Sequence, residues 1–375
     1  MKILWLSHSA GRAGAELVLL EAAGILKEEE FEIVVGFNDS GPLRSELEAQ
    51  GIRTLTVYLP WWADAGHGPR YLWRNFRALL VSVKHVMAVI DKECPDIVAT
   101  NTLAIGSPAL AAFIKRVPHA WMIHEFMDKD QGLRLIFTER ASLLYASLFS
   151  SKVFFASEVV RRYFLRYFND DKVMRFPYWV ESTQPAVIEP PPRPGFFRLV
   201  LVGTKHRGKG QHIAIQAVAS LKSKGVDASL ELVGPSIESY QTELARLVDD
   251  LGLSDRIFFI EETTEPFRYT AGADAALVCS KNEAFGRVTV EAMGFGRVVI
   301  SSNTGAGPEL IEDGKTGLLF DYPDPESLAN AVSRLIEDAD LAPKLGESAR
   351  IWAREYCGRD KYTANLLRFF RGTVG

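Results

Sequence analysis

Short apolar and β-branched runs alternate along the chain with longer stretches of helical pattern, as expected of βα units built on parallel sheets. In the first half the runs are KILWLS, FEIVVGF, RTLTVY, DIVAT, AWMIH and KVFFAS; in the second they are FRLVLVG, ASLELVG, RIFFIE, AALVCS, RVVISS and TGLLF. Between the two sets stands STQPAVIEPPPRPG, whose prolines can continue neither a helix nor a central strand. The pattern therefore predicts a first domain over 1–183, a linker over 184–195 and a second domain from 196. Each half is expected to be a doubly wound α/β sheet of Rossmann type. Ligands of such sheets lie beyond the carboxyl ends of the strands, which places the expected active site in a cleft between the halves.

Size and composition narrow the function. A chain of 375 residues exceeds what one core usually supports, so two domains are expected. The hydrophobic share is 47% and the charged share 24%, the balance of a globular protein and not of a disordered one. A formal charge of −4 gives no basic excess for nucleic acid. Three scattered cysteines suggest neither a disulfide framework nor a zinc site, which fits a reducing cytoplasm. The first apolar run is too short for a signal-peptide core, and no apolar stretch approaches the ~18 residues of a membrane span, so any membrane contact is expected to be peripheral.

Three glycine-bearing turns each follow a strand pattern and precede a helical one. The first, SHSAGRAGAE, holds Gly11 and Gly14, where backbone N–H groups can approach an anion; glycine also simply makes tight turns, and the full dinucleotide-binding fingerprint is absent. The second, GTKHRGKG, crowds Lys205, Arg207 and Lys209 into the loop after Gly203 and Thr204. Their mutual repulsion would be offset by a bound diphosphate, although an exposed basic turn is the plainer alternative. The third, SKNEAFGRVTVEAMGFG, places Glu283 in a loop and Glu291 on the following helix. The N–H groups of Phe285, Gly286 and Arg287, with Val288 after them, stand at the helix start, where the dipole favours an anion. Carboxylates beside an anion site suit a ligand that carries both hydroxyls and phosphate, which is the make-up of a nucleotide sugar.

The third turn and its continuation, EAMGFGRVVISSNTGAGPELIEDGKTGLLF, resemble the E-x7-E motif of the retaining glycosyltransferases of family 4, closely through most of the second half and more loosely in the first. The resemblance implies the GT-B fold of two Rossmann-like domains, with a final helix, 348–375, returning from a second domain of 196–347 to the first. It implies that Glu283 contacts the donor hexose, Glu291 the ribose and Lys209 the diphosphate. Thr204 stands where the family pattern has arginine, which leaves Lys205 or Arg207 to supply the second cation. Gly14 falls in a turn that keeps only the latter part of the family's G-G-A-E. His124, at the end of AWMIH, matches a strand-end histidine that hydrogen-bonds the donor sugar. The catalytic set so implied is His124, Glu283 and Lys209.

The implied reaction is metal-independent and cofactor-free: a hexosyl unit leaves a nucleoside diphosphate for an acceptor hydroxyl with retained configuration. The expected acceptor is a saccharide or lipid-linked glycan of a cell-surface polysaccharide pathway, handled in the cytoplasm or on the inner face of a membrane. Acceptor contacts are sought in the less family-like first half, at Trp61, Trp62 and Arg70, where aromatic rings lie among cations and a packed loop explains the same residues equally well, and at Glu125, which follows His124 where the family pattern has aspartate. Three other readings stay open. A glycosidase would need its carboxylates facing one bond at about 5–9 Å. An epimerase of nucleotide sugars would share the fold, and a non-catalytic partner subunit could retain nucleotide binding.

Overall fold

A computed structural model describes residues 1–64, 69–126, 134–135, 138–180 and 195–374, with side chains at all of these except 63–64, 69–72 and 134–135. The stretch expected as a linker, 184–195, lies outside the described residues apart from Gly195. The chain forms two compact units, Met1–Tyr178 with Asp360–Gly375, and Trp179–Arg359.

The first unit contains β1 (Lys2–Ser7), β2 (Glu32–Phe37), β3 (Arg53–Thr56), β4 (Ala63–Asp64), β5 (Ile97–Asn101), β6 (His119–Ile123), β7 (Arg134–Leu135), β8 (Lys152–Phe155) and β9 (Val173–Arg175). Seven of them form one parallel sheet in the order β3-β2-β1-β5-β6-β8-β9, and β4 pairs with β7 as a short antiparallel ribbon. Helices cover both faces of such a sheet, so its central strands read as unbroken apolar runs. Leu4, Trp5 and Leu6 of β1 are accordingly all fully buried.

The helix Arg359–Val374 supplies part of this core. Its Phe370 meets Trp5 edge-on at 5.4 Å between ring centroids, and Phe369 lies 6.1 Å from Phe154. The return to the first unit starts at Asp360, later than the boundary expected at 348. The preceding helix, Leu341–Tyr356, stays with the second unit, and its Trp352 and Tyr356 stack on each other at 4.5 Å.

A buried histidine makes this unit acid-sensitive. His119 is 1% exposed, with Nε2 at 2.7 Å from the Thr100 hydroxyl and Nδ1 at 3.1 Å from that of Ser150. Burial disfavours the imidazolium and lowers its pKa to about 3. Below the ordinary value of about 6.5 the unfolded chain binds a proton that the folded one refuses, so this stability is complete above that pH and is lost as pH falls toward 3. The limiting slope is about 1.4 kcal/mol per pH unit. Denaturant unfolding at pH 7 and pH 5 should therefore show a loss in the wild type that is smaller by about 2 kcal/mol in His119→Gln. Equal losses in the two proteins would remove His119 as the cause.

The second unit contains β10 (Phe197–Val202), β11 (Ala228–Val233), β12 (Ile257–Ile260), β13 (Ala275–Val278), β14 (Val298–Ser302) and β15 (Leu318–Phe320). They form a parallel sheet in the order β12-β11-β10-β13-β14-β15. Leu199, Leu201, Leu230, Leu232 and Leu277 of its strands pack with Ile213, Leu221 and Leu328 from the covering helices. Each sheet has a point where the chain's direction of travel reverses, between β1 and β5 in the first unit and between β10 and β13 in the second. Loops leaving the carboxyl ends of such a strand pair diverge to opposite faces and open a crevice, the place where sheets of this kind bind ligands.

Candidate functional site

The two loops that leave the second unit's reversal point are the two motif-bearing turns. After β10 the chain runs through Gly203–Gly210 into the helix Gln211–Ser223; after β13 it runs through Cys279–Gly286 into the helix Arg287–Gly294. The loops touch directly. The Lys281 N–H donates to the Gly208 carbonyl at 3.2 Å. Gly210, at φ +72°, comes so close that a Cβ there would stand 2.1 Å from the Cys279 carbonyl oxygen. Only a residue without a side chain permits both the left-handed backbone and that approach.

This closeness brings Lys209 to Glu283. Lys209 Nζ lies 2.8 Å from Glu283 Oε2, and the glutamate side chain is 17% exposed. Burial pushes the Glu283 carboxyl up, but the Lys209 charge and hydrogen bond, helped by Ser280, outweigh it and hold the group below the usual carboxylate range. Its main chain is fixed as well, since the Ala306 N–H donates to the Glu283 carbonyl at 2.9 Å. Gly286, left-handed at φ +91°, caps the helix Arg287–Gly294. Phe285 before it is buried, which anchors the turn, and Val288 is half-buried in the helix's first turn. That turn points its N–H groups out of the helix start. Glu291 follows one turn on, its Oε1 3.5 Å from the Arg287 guanidinium.

The other cations of the basic turn part company. Lys205 is fully buried and its ammonium donates to the carbonyls of Gly234 and Ile260, the latter at 2.8 Å, so it ties the ends of β11 and β12 to the turn. Burial also pulls its pKa down. Lys205 is thus committed to backbone oxygens, whereas Arg207 is exposed and paired with Glu243. Thr204 is exposed, and its carbonyl accepts from Gln211 Nε2 at 3.1 Å. Gly203 continues the ladder through its N–H to the Val233 carbonyl at 2.8 Å. His206, which carried no motif signal, is half-buried; its Nδ1 accepts from the Gly208 N–H at 3.2 Å, which leaves the proton of the neutral ring on Nε2. Burial and then the Lys209 charge lower its pKa, keeping the ring neutral at physiological pH.

In the first unit the corresponding edge carries His8 after β1, Asn101 at the end of β5 and His124 after β6. His8 Nε2 lies 3.4 Å from Glu16 Oε1, and Glu16 is buried in the first turn of the helix that begins at Gly14. His124 Nε2 is 2.8 Å from Asn101 Oδ1, and its Nδ1 is paired with the Tyr178 hydroxyl. Of the residues expected to meet an acceptor, Trp61 is 43% exposed, with Nε1 donating to the His8 carbonyl at 3.2 Å and its ring 5.1 Å from that of His8. Trp62, by contrast, is a core residue: it is 1% exposed, its Nε1 donates to the Leu103 carbonyl, and its ring fills the space above Gly106. Glu125 is also buried, its two carboxylate oxygens receiving the N–H groups of Leu103 at 2.6 Å and His124 at 3.2 Å. It braces the loop after β5. The side chain of Arg70 lies outside the described residues.

Comparison with known proteins gives this geometry a family. Residues 13–179 match the family model described as a glycosyl transferase 4-like domain, and residues 189–352 that of glycosyl transferases group 1. The D-inositol 3-phosphate glycosyltransferase of Corynebacterium glutamicum is 32% identical over 164 residues, which are 42% of this chain and 39% of that protein. The GDP-mannose-dependent alpha-(1-6)-phosphatidylinositol monomannoside mannosyltransferase of Mycobacterium tuberculosis is 32% identical over 173 residues, 44% of each. The chain thus spans about two fifths of the length of the curated relatives it matches. Among solved structures, Anabaena HepE in complex with UDP and glucose superposes with a TM-score of 0.81 at 23% identity, covering 99% of both chains. A glycosyltransferase from Rickettsia africae gives the same TM-score at 20% identity, over 100% of this chain and 98% of its own. These likenesses show the GT-B fold. With each half matched by its own glycosyltransferase family model, the chain belongs to the group 1, family 4 type of GT-B glycosyltransferases.

Proposed function

We propose that the protein transfers a glycosyl unit from a nucleoside-diphosphate sugar to an acceptor hydroxyl with retention of anomeric configuration. The observation that carries this is the Lys209–Glu283 pair held at the second sheet's reversal point, beside a glycine-capped helix start and with Glu291 one turn further on. An anion and a polyol are recognised there side by side. Lys209 and the exposed Arg207 take the diphosphate, with the amides of the Gly286 turn; Glu283 accepts hydroxyls of the sugar and Glu291 those of the ribose. Glu283 pairs with Lys209 at 2.8 Å, and an arriving diphosphate takes over the ammonium and leaves the carboxylate to the sugar.

In the reaction the bond between anomeric carbon and diphosphate oxygen breaks, the acceptor oxygen bonds that carbon on the same face, and the acceptor's proton passes to the departing phosphate. The difficult part is the negative charge that develops on the leaving group, and preorganised positive groups aimed at it are the usual remedy. Relatives acting on inositol phosphate and a phosphatidylinositol mannoside support a hydroxyl acceptor that carries phosphate, either free or at a membrane surface. No described helix is long and apolar enough to cross a membrane, so the lipid case would require peripheral contact.

The test is turnover. UDP-glucose and GDP-mannose are supplied with inositol phosphate or a phosphatidylinositol mannoside, nucleoside diphosphate release is followed, and the product's anomeric configuration is read by proton NMR. Acceptor-dependent release with retained configuration is expected; an inverted product would refute the mechanism. Glu291→Ala should weaken binding of the productive nucleotide tenfold or more, since hydrogen bonds to a charged group are worth about 1.5–3 kcal/mol. An unchanged dissociation constant by calorimetry would remove Glu291 from the ribose.

A further inference from the structure

We infer that Asn101 and Tyr178 are positioning residues that hold the His124 ring in one tautomer and one orientation. The inference rests on the reading that His124 acts at the transferred sugar, and it explains what fixes that residue. Asn101, at the end of β5, donates from Nδ2 to the Ala15 carbonyl at 3.1 Å. A carbonyl can only accept, so the amide's orientation is settled and Oδ1 is the atom facing the ring. Oδ1 also can only accept, so the His124 Nε2 at 2.8 Å must carry the proton. In the neutral ring Nδ1 then holds the lone pair, and the Tyr178 hydroxyl donates to it. Tyr178 is buried and its ring lies 5.6 Å from the His124 ring, while Phe154 closes a further side at 6.2 Å. The main chain is held separately, by the Glu125 carboxylate on the His124 N–H.

The chain of bonds has a direction. Donation begins at the hydroxyl of Tyr178, the last residue before the chain enters the second unit, crosses the imidazole, passes through Asn101 at the first unit's reversal point and ends on the carbonyl of Ala15, in the first turn of the helix that begins at Gly14. A ring so held has its lone pair covered and its proton committed, an arrangement unlike that of a general base. With its N–H given to Asn101 and its lone pair taken by Tyr178, the His124 ring does not make the sugar hydrogen bond that the family resemblance implied; it acts by position, consistent with a reaction in which the leaving phosphate takes the proton. Neither Asn101 nor Tyr178 needs to touch substrate for this.

Two measurements test it. Long-range proton–nitrogen correlation spectra of the wild type should show the His124 ring as the Nε2–H tautomer, and Tyr178→Phe, which removes one oxygen, should broaden or shift its Nδ1 signal. In turnover, Asn101→Ala and Tyr178→Phe should each lower kcat/KM about tenfold, yet cost nothing further when introduced into His124→Ala, because they act only through that ring. A wild-type Nδ1–H tautomer would overturn the inference, and so would equal losses in the presence and absence of His124, which are what a purely structural role produces. Unchanged turnover in His124→Ala would instead overturn the role of His124 on which the inference rests, and the spectrum would show that failure to be separate.

Discussion

Lys209→Ala is expected to lower kcat by about a hundredfold or more while leaving the protein folded. Removing one preorganised group aimed at developing charge costs about 3 kcal/mol in comparable sites. The effect should fall on kcat more than on KM, because the charge on the departing diphosphate is greatest in the transition state. The same variant carries an independent signature. Lys209 holds the Glu283 carboxyl below its ordinary range, so Glu283 contributes stability that is present above the unfolded pKa of about 4.5 and is lost as pH falls through the lower folded value. Without Lys209, burial acts on Glu283 unopposed by its nearest cation, and the acid-side loss attributable to this group should disappear. Initial rates and acid unfolding curves measure both effects. A folded variant with near-normal kcat would remove Lys209 from the chemistry.

Gly210→Ala should cause the largest loss of stability of any single methyl group added in the second unit's site. The left-handed backbone alone costs a residue with a side chain about 1–2 kcal/mol. The new Cβ would in addition lie 2.1 Å from the Cys279 carbonyl oxygen, and relieving such an overlap costs about 1–3 kcal/mol more. A loss of roughly 3 kcal/mol corresponds to a Tm lower by about 6–12 °C for a unit of this size. Gly225 is the control, because it has a similar φ of +74° and no atom within 4 Å of the added carbon. Gly225→Ala should lower Tm by only a few degrees, and equal losses at the two positions would show that contact between the loops is unimportant. Forcing the loops apart also separates Lys209 from Glu283, so Gly210→Ala should lose donor binding under conditions where it is still folded.

The central strands of the parallel sheets were legible because burial on both faces leaves them as unbroken apolar runs, whereas the half-exposed edge strand β3, RTLT, was marked by its β-branched residues; all twelve runs quoted from the sequence overlap a strand. The strand β9 escaped notice because three residues at a sheet edge carry no such run. The motif-bearing loops were legible for a related reason, since a glycine that admits a backbone contact leaves a mark in one sequence. Lys205 shows the limit of that reasoning. A cation in a phosphate-like turn looks the same whether its ammonium faces a ligand or the carbonyls of Gly234 and Ile260, and only the tertiary fold decides. Trp61 and Trp62 show another limit, because two adjacent tryptophans outside any strand look alike in the sequence and differ in burial only once the chain is folded. Trp62 is the buried one, and Trp61 is 43% exposed. Asn101 and Tyr178 lie 77 residues apart in the chain and carry no motif; their role arises only where His124 brings them together.

The central claim is that the paired loops of the second unit clamp a nucleoside diphosphate. Thermal unfolding of the wild type with UDP, GDP and ADP tests it most directly. At a hundred times its dissociation constant the correct nucleotide should stabilise the protein by about 2.7 kcal/mol, roughly 5–11 °C in Tm, and most of that shift should vanish in Glu291→Ala. If none of the three nucleotides moves the transition of the wild type, the clamp does not exist as described.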